Sequence, residues 1–301
     1  MAMQDYLIMA TEQDLFNTVL HGFQLISVFV FCALFVVGSP YGSQTSYTGI
    51  FAINGRAAWI VMELVSPLAL MYSYFVQDPV SVFPGELLPI AQQGVSEGST
   101  VLIYLWVVHY LNRAIVYPLR QPCRKSMHVG IMLCACAFNI VNGYLNGRWL
   151  ATAGHETAPS VWGWRFVLGV MLFVAGFAGN IHHDNILMRL RSKPNGKTSG
   201  SSTFEPDATD ASSKNKPKGS GSSKYSVPHG SLFTLVSCPH FLCEIVEWTG
   251  FAVASGSPAA WTFVLNVLCN LAPRAYFIHK WYAHTFPTYP RSRKAMVPFV
   301  F

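Results

Sequence analysis

The chain has 301 residues, of which 51% are hydrophobic and 11% charged, with a formal net charge of +6 at neutral pH. Soluble domains carry about 25% charged residues, so the composition argues against an ordinary soluble protein. The basic excess collects in loops beside apolar stretches, which argues against a nucleic-acid-binding protein and for a membrane one.

In chain order, "MAMQDYLIMATEQDLF" has no basic n-region and no small-residue cleavage site, so the first span reads as a retained anchor. No charged residue occurs from Leu15 to Gly55, Ser126 to Gly147, Phe166 to His183 or Trp248 to Pro273. Each gap is long enough for a helix crossing a hydrocarbon core of about 30 Å, which needs about 20 residues. With the shorter apolar stretches added, the predicted spans are 16–38, 57–76, 99–118, 127–147, 162–188, 231–254 and 258–282. The expected fold is therefore all-α and integral to the membrane: about seven transmembrane helices in one polytopic domain over residues 1–301. Seventeen of the twenty Lys and Arg residues fall on one side of that arrangement, and Arg148 alone in a loop on the other. The positive-inside rule then puts the C-terminus in the cytosol and the N-terminus in the lumen. Residues 192–224, rich in Ser, Gly and Lys, read as a flexible cytosolic insertion with little to bury. The seven cysteines form no CxxC pair and read as apolar fillers rather than disulfides or a zinc site.

Polar residues inside such spans are costly and usually face a cavity or a partner. In "RAAWIVMEL", Trp59 and Glu63 are four apart and share a helix face. In "VHYLNRAIVY", Tyr110, Arg113 and Tyr117 share another. "GNIHHDNILMRLR" stacks Asn180, Asp184, Leu187 and Arg191, and "CPHFLCEIVEW" aligns His240, Glu244 and Glu247. Near the end of the last span, Arg274 and Tyr282 share a face. Asp184, Arg189 and Arg191 lie at the last turns of their span and can equally snorkel or pair with one another. Tyr117, Trp248 and Trp281 also suit an interfacial belt. Glu63, Arg113, Glu244 and Glu247 instead suggest a polar cavity enclosed by the bundle. His182 and His183 are adjacent, point to different faces and make a poor metal pair; no metal is expected. The Arg-, Lys-, Asn- and Tyr-rich cytosolic ends suit an anionic ligand held by Arg forks, either a dinucleotide phosphate or a lipid headgroup.

These same stretches, with "YSVPHGSLFTLVSCPHFLCEIVEW" and "PRAYFIHKWY…YPRSRKAMVPFVF", closely resemble the steroid 5α-reductase family. That family comprises NADPH-dependent membrane enzymes that saturate a 4,5 double bond conjugated to a 3-ketone. The resemblance covers residues 56–301 apart from the insertion. The Glu of "RAAWxxxEL" and the Tyr of "HYxxR" point to its steroid branch rather than the enoyl-CoA or polyprenol reductases. It implies that Glu63 and Tyr110 hydrogen-bond the substrate's 3-keto oxygen, with Trp59, Arg113 and Tyr117 lining or bracing that site. It further implies that Arg124, Asn180, Asp184, Arg191, Tyr225, His240, Glu244, Arg274 and Tyr282 bind NADPH. His240 departs from the Asn usual in the steroid branch, and the 192–224 insertion is a second departure. The family also implies a steroid or sterol substrate taken from the bilayer and residence in the endoplasmic reticulum. Competing readings are a very-long-chain trans-2-enoyl-CoA reductase, an isoprenylcysteine-type methyltransferase using S-adenosylmethionine, and a small transporter or lipid-binding protein. The first of these families usually bears an N-terminal ubiquitin-like domain, and the expectation from only about 15 polar residues before the first span goes against it. The Glu63/Tyr110 pair would be coincidental in the last.

Overall fold

The structure is a computed structural model and describes residues 3–38, 48–75, 96–122, 125–152, 161, 163–192 and 226–301. The predicted insertion therefore lies outside the described residues, apart from the helical backbone of Ser192. The long elements are α1 (Met3–Val37), α2 (Gly55–Phe75), α3 (Glu97–Tyr110), α5 (Val129–Thr152), α6 (Trp164–Ser192), α7 (Pro239–Ser255) and α8 (Pro258–Thr285). A π-helical stretch, Leu111–Val116, joins α3 to the short α4 (Tyr117–Arg120). A two-residue ribbon pairs β1 (Ala52–Ile53) with β2 (Met127–His128) antiparallel, Ala52 opposite His128, and so ties the starts of α2 and α5 together.

Local chemistry marks the helix ends. Asn54 Oδ1 accepts from the Arg56 and Ala57 backbone N–H groups at 3.0 and 3.1 Å, capping α2. Ser257 caps α8 through the Ala260 N–H, with Pro258 at the first helical position, where its missing donor costs nothing. Gly256 ends α7 in the left-handed conformation (φ 66°).

Among the described residues, five helices are long and apolar enough to cross a membrane: Glu12–Val36, Gly55–Phe75, Glu97–Arg120, Val129–Thr152 and Trp164–Arg191. The polarity of the bundle is inverted relative to a soluble protein. Leu25, Phe29, Val36, Leu68 and Trp164 are exposed, while Asn142, Asn146, Asp184 and Glu247 are buried. This is an all-α, multi-pass membrane architecture. α7 and α8 occupy the positions of the sixth and seventh predicted spans. The predicted span at 231 starts late, because Ser231–Thr234 is a 3₁₀ turn and α7 begins only at Pro239. The Ser237 and Cys238 N–H groups instead donate to Lys294 and Ala295 carbonyls of the C-terminal segment, at 2.8 and 3.0 Å.

Two helix pairs form the frame, and both rest on glycine. Along α6 and α7, a Cβ added at Gly169 would meet Ala254 N at 2.4 Å, and one at Gly176 would meet Glu247 N at 2.4 Å. Between α2 and α5, Gly143 and Gly147 form a GxxxG step; Cβ atoms there would meet Ser66 O at 2.7 Å and Leu70 O at 2.5 Å. Small residues that let backbones touch are how helices associate in lipid, where burying apolar surface supplies no driving force between them. Trp106, Phe173, Trp248, Phe251 and Phe263 fill the centre in edge-on and tilted contacts, such as Trp248–Phe263 at 4.6 Å.

Candidate active site

The site begins with an irregularity in α3. In an α-helix the Tyr117 N–H would bond the Arg113 carbonyl; here it bonds Asn112 O, one residue further back. Pro118 follows directly, and a wider turn here relieves the clash its ring would make with the Ala114 carbonyl in a regular helix. The Arg113 carbonyl is thereby released and accepts from Trp59 Nε1 at 3.0 Å, which binds α2 to the π stretch. Such π segments recur at functional sites.

Arg113 is the hub. Its guanidinium carbon lies 5.1 Å from the ring centres of both Trp59 and Tyr117, within cation–π range. Its two terminal nitrogens face Asp184 of α6 at 3.8 Å and Glu244 of α7 at 3.6 Å. These are ion pairs too long to be hydrogen bonds. Glu63, half-buried one turn after Trp59, and the buried Tyr110 lie in the same electrostatic neighbourhood, with Ser66 beside the Tyr110 hydroxyl. The structure thus brings together Trp59, Glu63, Tyr110, Arg113, Tyr117, Asp184 and Glu244 from four helical segments. Asp184 is an interior residue here: its partner comes from the α3–α4 segment, and Arg120 and Arg191 stand near the same carboxylate.

Further along, Asn180 Nδ2 donates to the His240 carbonyl at 3.0 Å and locks α6 to the first turn of α7. The buried His240 Nδ1 has no hydrogen-bond partner, with Arg113, Arg191 and Arg274 around it. Arg274 lies over Phe241 at 5.0 Å and donates to Asn270. Tyr282 stacks on Tyr289 of the C-terminal segment, rings 5.4 Å apart and 11° from parallel. That segment is held in turn by Ser237, whose hydroxyl meets Tyr289 at 2.6 Å and His279 at 2.7 Å. Arg124 and Tyr225 lie outside the described residues.

One pair escaped the sequence reading. His109 Nδ1 lies 2.6 Å from Glu247 Oε1, both side chains buried, inside a box of Tyr110, Phe177 and Trp248. Glu247 stands out in the sequence as an intramembrane acid, but nothing there names its partner. Among the described residues, no three His, Cys, Asp or Glu side chains gather as a metal site.

Comparison with known proteins decides the lineage. A family profile for 3-oxo-5-alpha-steroid 4-dehydrogenase matches residues 125–202 and 210–301. The chain belongs to the 3-oxo-5-alpha-steroid 4-dehydrogenase family. This family member is 35% identical over 269 residues to 3-oxo-5-alpha-steroid 4-dehydrogenase 2 of Homo sapiens, covering 87% of this chain and 88% of that one. It is 31% identical over 300 residues to the steroid 5-alpha-reductase DET2 of Gossypium hirsutum, covering 97% and 100%. It is 35% identical over 292 residues to an uncharacterized protein of Schizosaccharomyces pombe, covering 92% and 97%. The resemblance seen in the motifs is thus borne out, and with it an oxidoreductase assignment.

Proposed function

We propose that this family member reduces the 4,5 double bond of Δ4-3-ketosteroids with NADPH, in a seven-span bundle of the endoplasmic reticulum with a lumenal N-terminus and a cytosolic C-terminus. The observation that carries the reading is the convergence of Glu63, Tyr110 and Arg113 inside an apolar bundle, in a chain whose relatives are named for steroid reduction.

Reduction of a conjugated enone at its β-carbon moves negative charge onto the carbonyl oxygen. Donors that strengthen as that charge grows lower the barrier selectively. The Tyr110 phenol is such a donor, and Glu63 in its protonated form is a second. Arg113 braces both from behind. It is itself held by Trp59, Tyr117, Asp184 and Glu244, so its charge is spent on the frame and the polar wall stays in place.

The donor set suits a dinucleotide. The unpartnered, buried His240 Nδ1 lies among Arg113, Arg191 and Arg274, with Asn180, Asp184, Glu244 and Tyr282 at the same end of the bundle. These residues, with Arg124 and Tyr225 from the connecting segments, would hold NADPH, which when bound supplies the hydride. Asp184 and Glu244 hold Arg113, and Arg191 and Arg274 bring the positive charge that phosphates need.

The test uses membranes from cells expressing the protein, given a Δ4-3-ketosteroid and NADPH, with the 5α-dihydro product read by mass spectrometry. Wild type should form it, and Glu63→Gln and Tyr110→Phe should each lower the rate on the order of 10²–10³-fold. Turnover that survives both changes sinks the residue roles. Turnover of an enoyl-CoA but of no ketosteroid sinks the reading itself.

A further inference from the structure

A second group of buried polar atoms lies away from Arg113, and the mechanism does not use it. Asn146 Nδ2 donates to the Asn142 carbonyl at 3.0 Å and to Asn142 Oδ1 at 3.1 Å. The backbone carbonyl requires a donor, which fixes the Asn146 amide's orientation, and the second contact then fixes that of Asn142. What remains is one unpartnered donor, Asn142 Nδ2, beside one unpartnered acceptor, Asn146 Oδ1, on side chains 0% and 1% exposed. Trp106 Nε1, on α3, is likewise fully buried and without a partner, and Ser66 Oγ of α2 lies beside the Tyr110 hydroxyl. Three such atoms are a cluster, in a class of buried group that is normally satisfied.

Register places them in adjoining layers. Asn139 Nδ2 donates to Met62 O at 2.6 Å, which sets Asn139 level with Glu63. Ser99 Oγ donates to Leu150 O at 3.2 Å, which sets the antiparallel α3 so that Tyr110 is level with Asn139 and Trp106 with Gly143. Gly143 abuts Ser66. Ser66, Trp106 and Asn142 therefore share a layer about one turn, or roughly 5 Å, from Glu63 and Tyr110, and Asn146 lies one turn beyond. Asn142 and Asn146 also sit between the α5 face that meets α2 (Gly143, Gly147) and the one that meets α1 (Leu145), away from the exposed Ile140, so they point into the bundle.

We propose that the Asn142–Asn146 amide pair is a subsite for a hydroxyl at the end of the steroid remote from its 3-keto group. This rests on the ketosteroid reading above. A hydroxyl both donates and accepts, and so completes both orphaned atoms at once. The two helical turns, about 11 Å, from Glu63 and Tyr110 to Asn146 match the length of a rigid four-ring nucleus whose other end sits at that pair. The pair sets specificity, since an analogue lacking the hydroxyl leaves two buried polar atoms unmet.

The experiment compares kcat/KM of the purified protein with NADPH for a Δ4-3-ketosteroid bearing a 17-hydroxyl and for its 17-deoxy counterpart. Wild type should favour the hydroxylated substrate by about tenfold, and Asn142→Leu and Asn146→Ala should bring that ratio toward one. A wild-type ratio near one overturns the subsite and leaves the reductase reading standing, as expected if an ordered water fills the pair. Variants that keep the wild-type ratio also overturn it. If neither steroid is reduced, both readings fall together. Should neither variant accumulate, the wild-type ratio alone still decides.

Discussion

The α6–α7 and α2–α5 pairs solve one packing problem in the same way and then diverge. Both bring backbones together on glycine. From α6–α7 project Asp184, Glu244 and Glu247, each facing a partner on the α3–α4 segment: Arg113 for the first two, His109 for the third. From α2–α5 project Glu63, Ser66, Asn142 and Asn146, of which the two asparagines keep buried atoms without partners. The first pair turns these three acids onto side chains of the α3–α4 segment, with His240 Nδ1 and Glu247 Oε2 left unmatched, and the second leaves the Asn142 and Asn146 amides unmatched. Charge is expensive to leave unpaired in a low-dielectric interior, whereas a neutral amide or hydroxyl costs less and can wait for a ligand. The helix that lies between them carries Tyr110, so the closed wall steadies what the receptive wall needs.

The comparison can be broken most severely at its hub. Arg113→Ala leaves Asp184 and Glu244 buried without their cation and should cost about 3–5 kcal/mol of stability. A thermal melt of the purified protein should show this, with Arg113→Lys recovering part of the loss. Next come the glycines. Gly176→Ala and Gly147→Ala each force a methyl against backbone and should destabilise by about 1–3 kcal/mol. At equal residual folded fraction Gly176→Ala should lower kcat further, because the atom its methyl meets belongs to Glu247, the partner of His109. Equal kcat in the two would dissolve the distinction between the walls. The smallest effect belongs to His109→Gln. It retains a donor for Glu247 but loses the ring contacts, and should lower kcat about three- to tenfold, within the range of one weakened hydrogen bond. KM should hardly move, and His109→Leu should not be tolerated as well as Gln.

Much of this was legible in the sequence because lipid imposes strong rules. Long charge-free runs placed the helices, and the spacing of Trp59 with Glu63 and of Tyr110 with Arg113 and Tyr117 put five residues on the faces that meet in the structure. Periodicity says which face a residue takes but not which helix that face meets. Asp184 therefore read equally well as a helix-end residue, and Glu247 had no visible partner until α7 was set against His109. The late start of α7 was hidden because "SLFTLVSC" is apolar enough to continue a span; its backbone donors are claimed from some 57 positions away, by Lys294 and Ala295. Asn142 and Asn146 did leave a trace, two amides four apart around a GxxxG step in "NGYLNG", which earns attention only once their partners prove missing.

The π stretch at Leu111–Val116 has one more consequence. A wider turn holds one residue more than the regular helix needs, so it works like an inserted letter that rephases everything after it. Tyr110 and the residues before it keep time with the aromatic centre. The segment from Tyr117 onward keeps time with Trp59 and the charged end of the bundle. Deleting a single residue there would leave a smoother helix and a poorer enzyme, because the two halves would then share one phase where the site needs two.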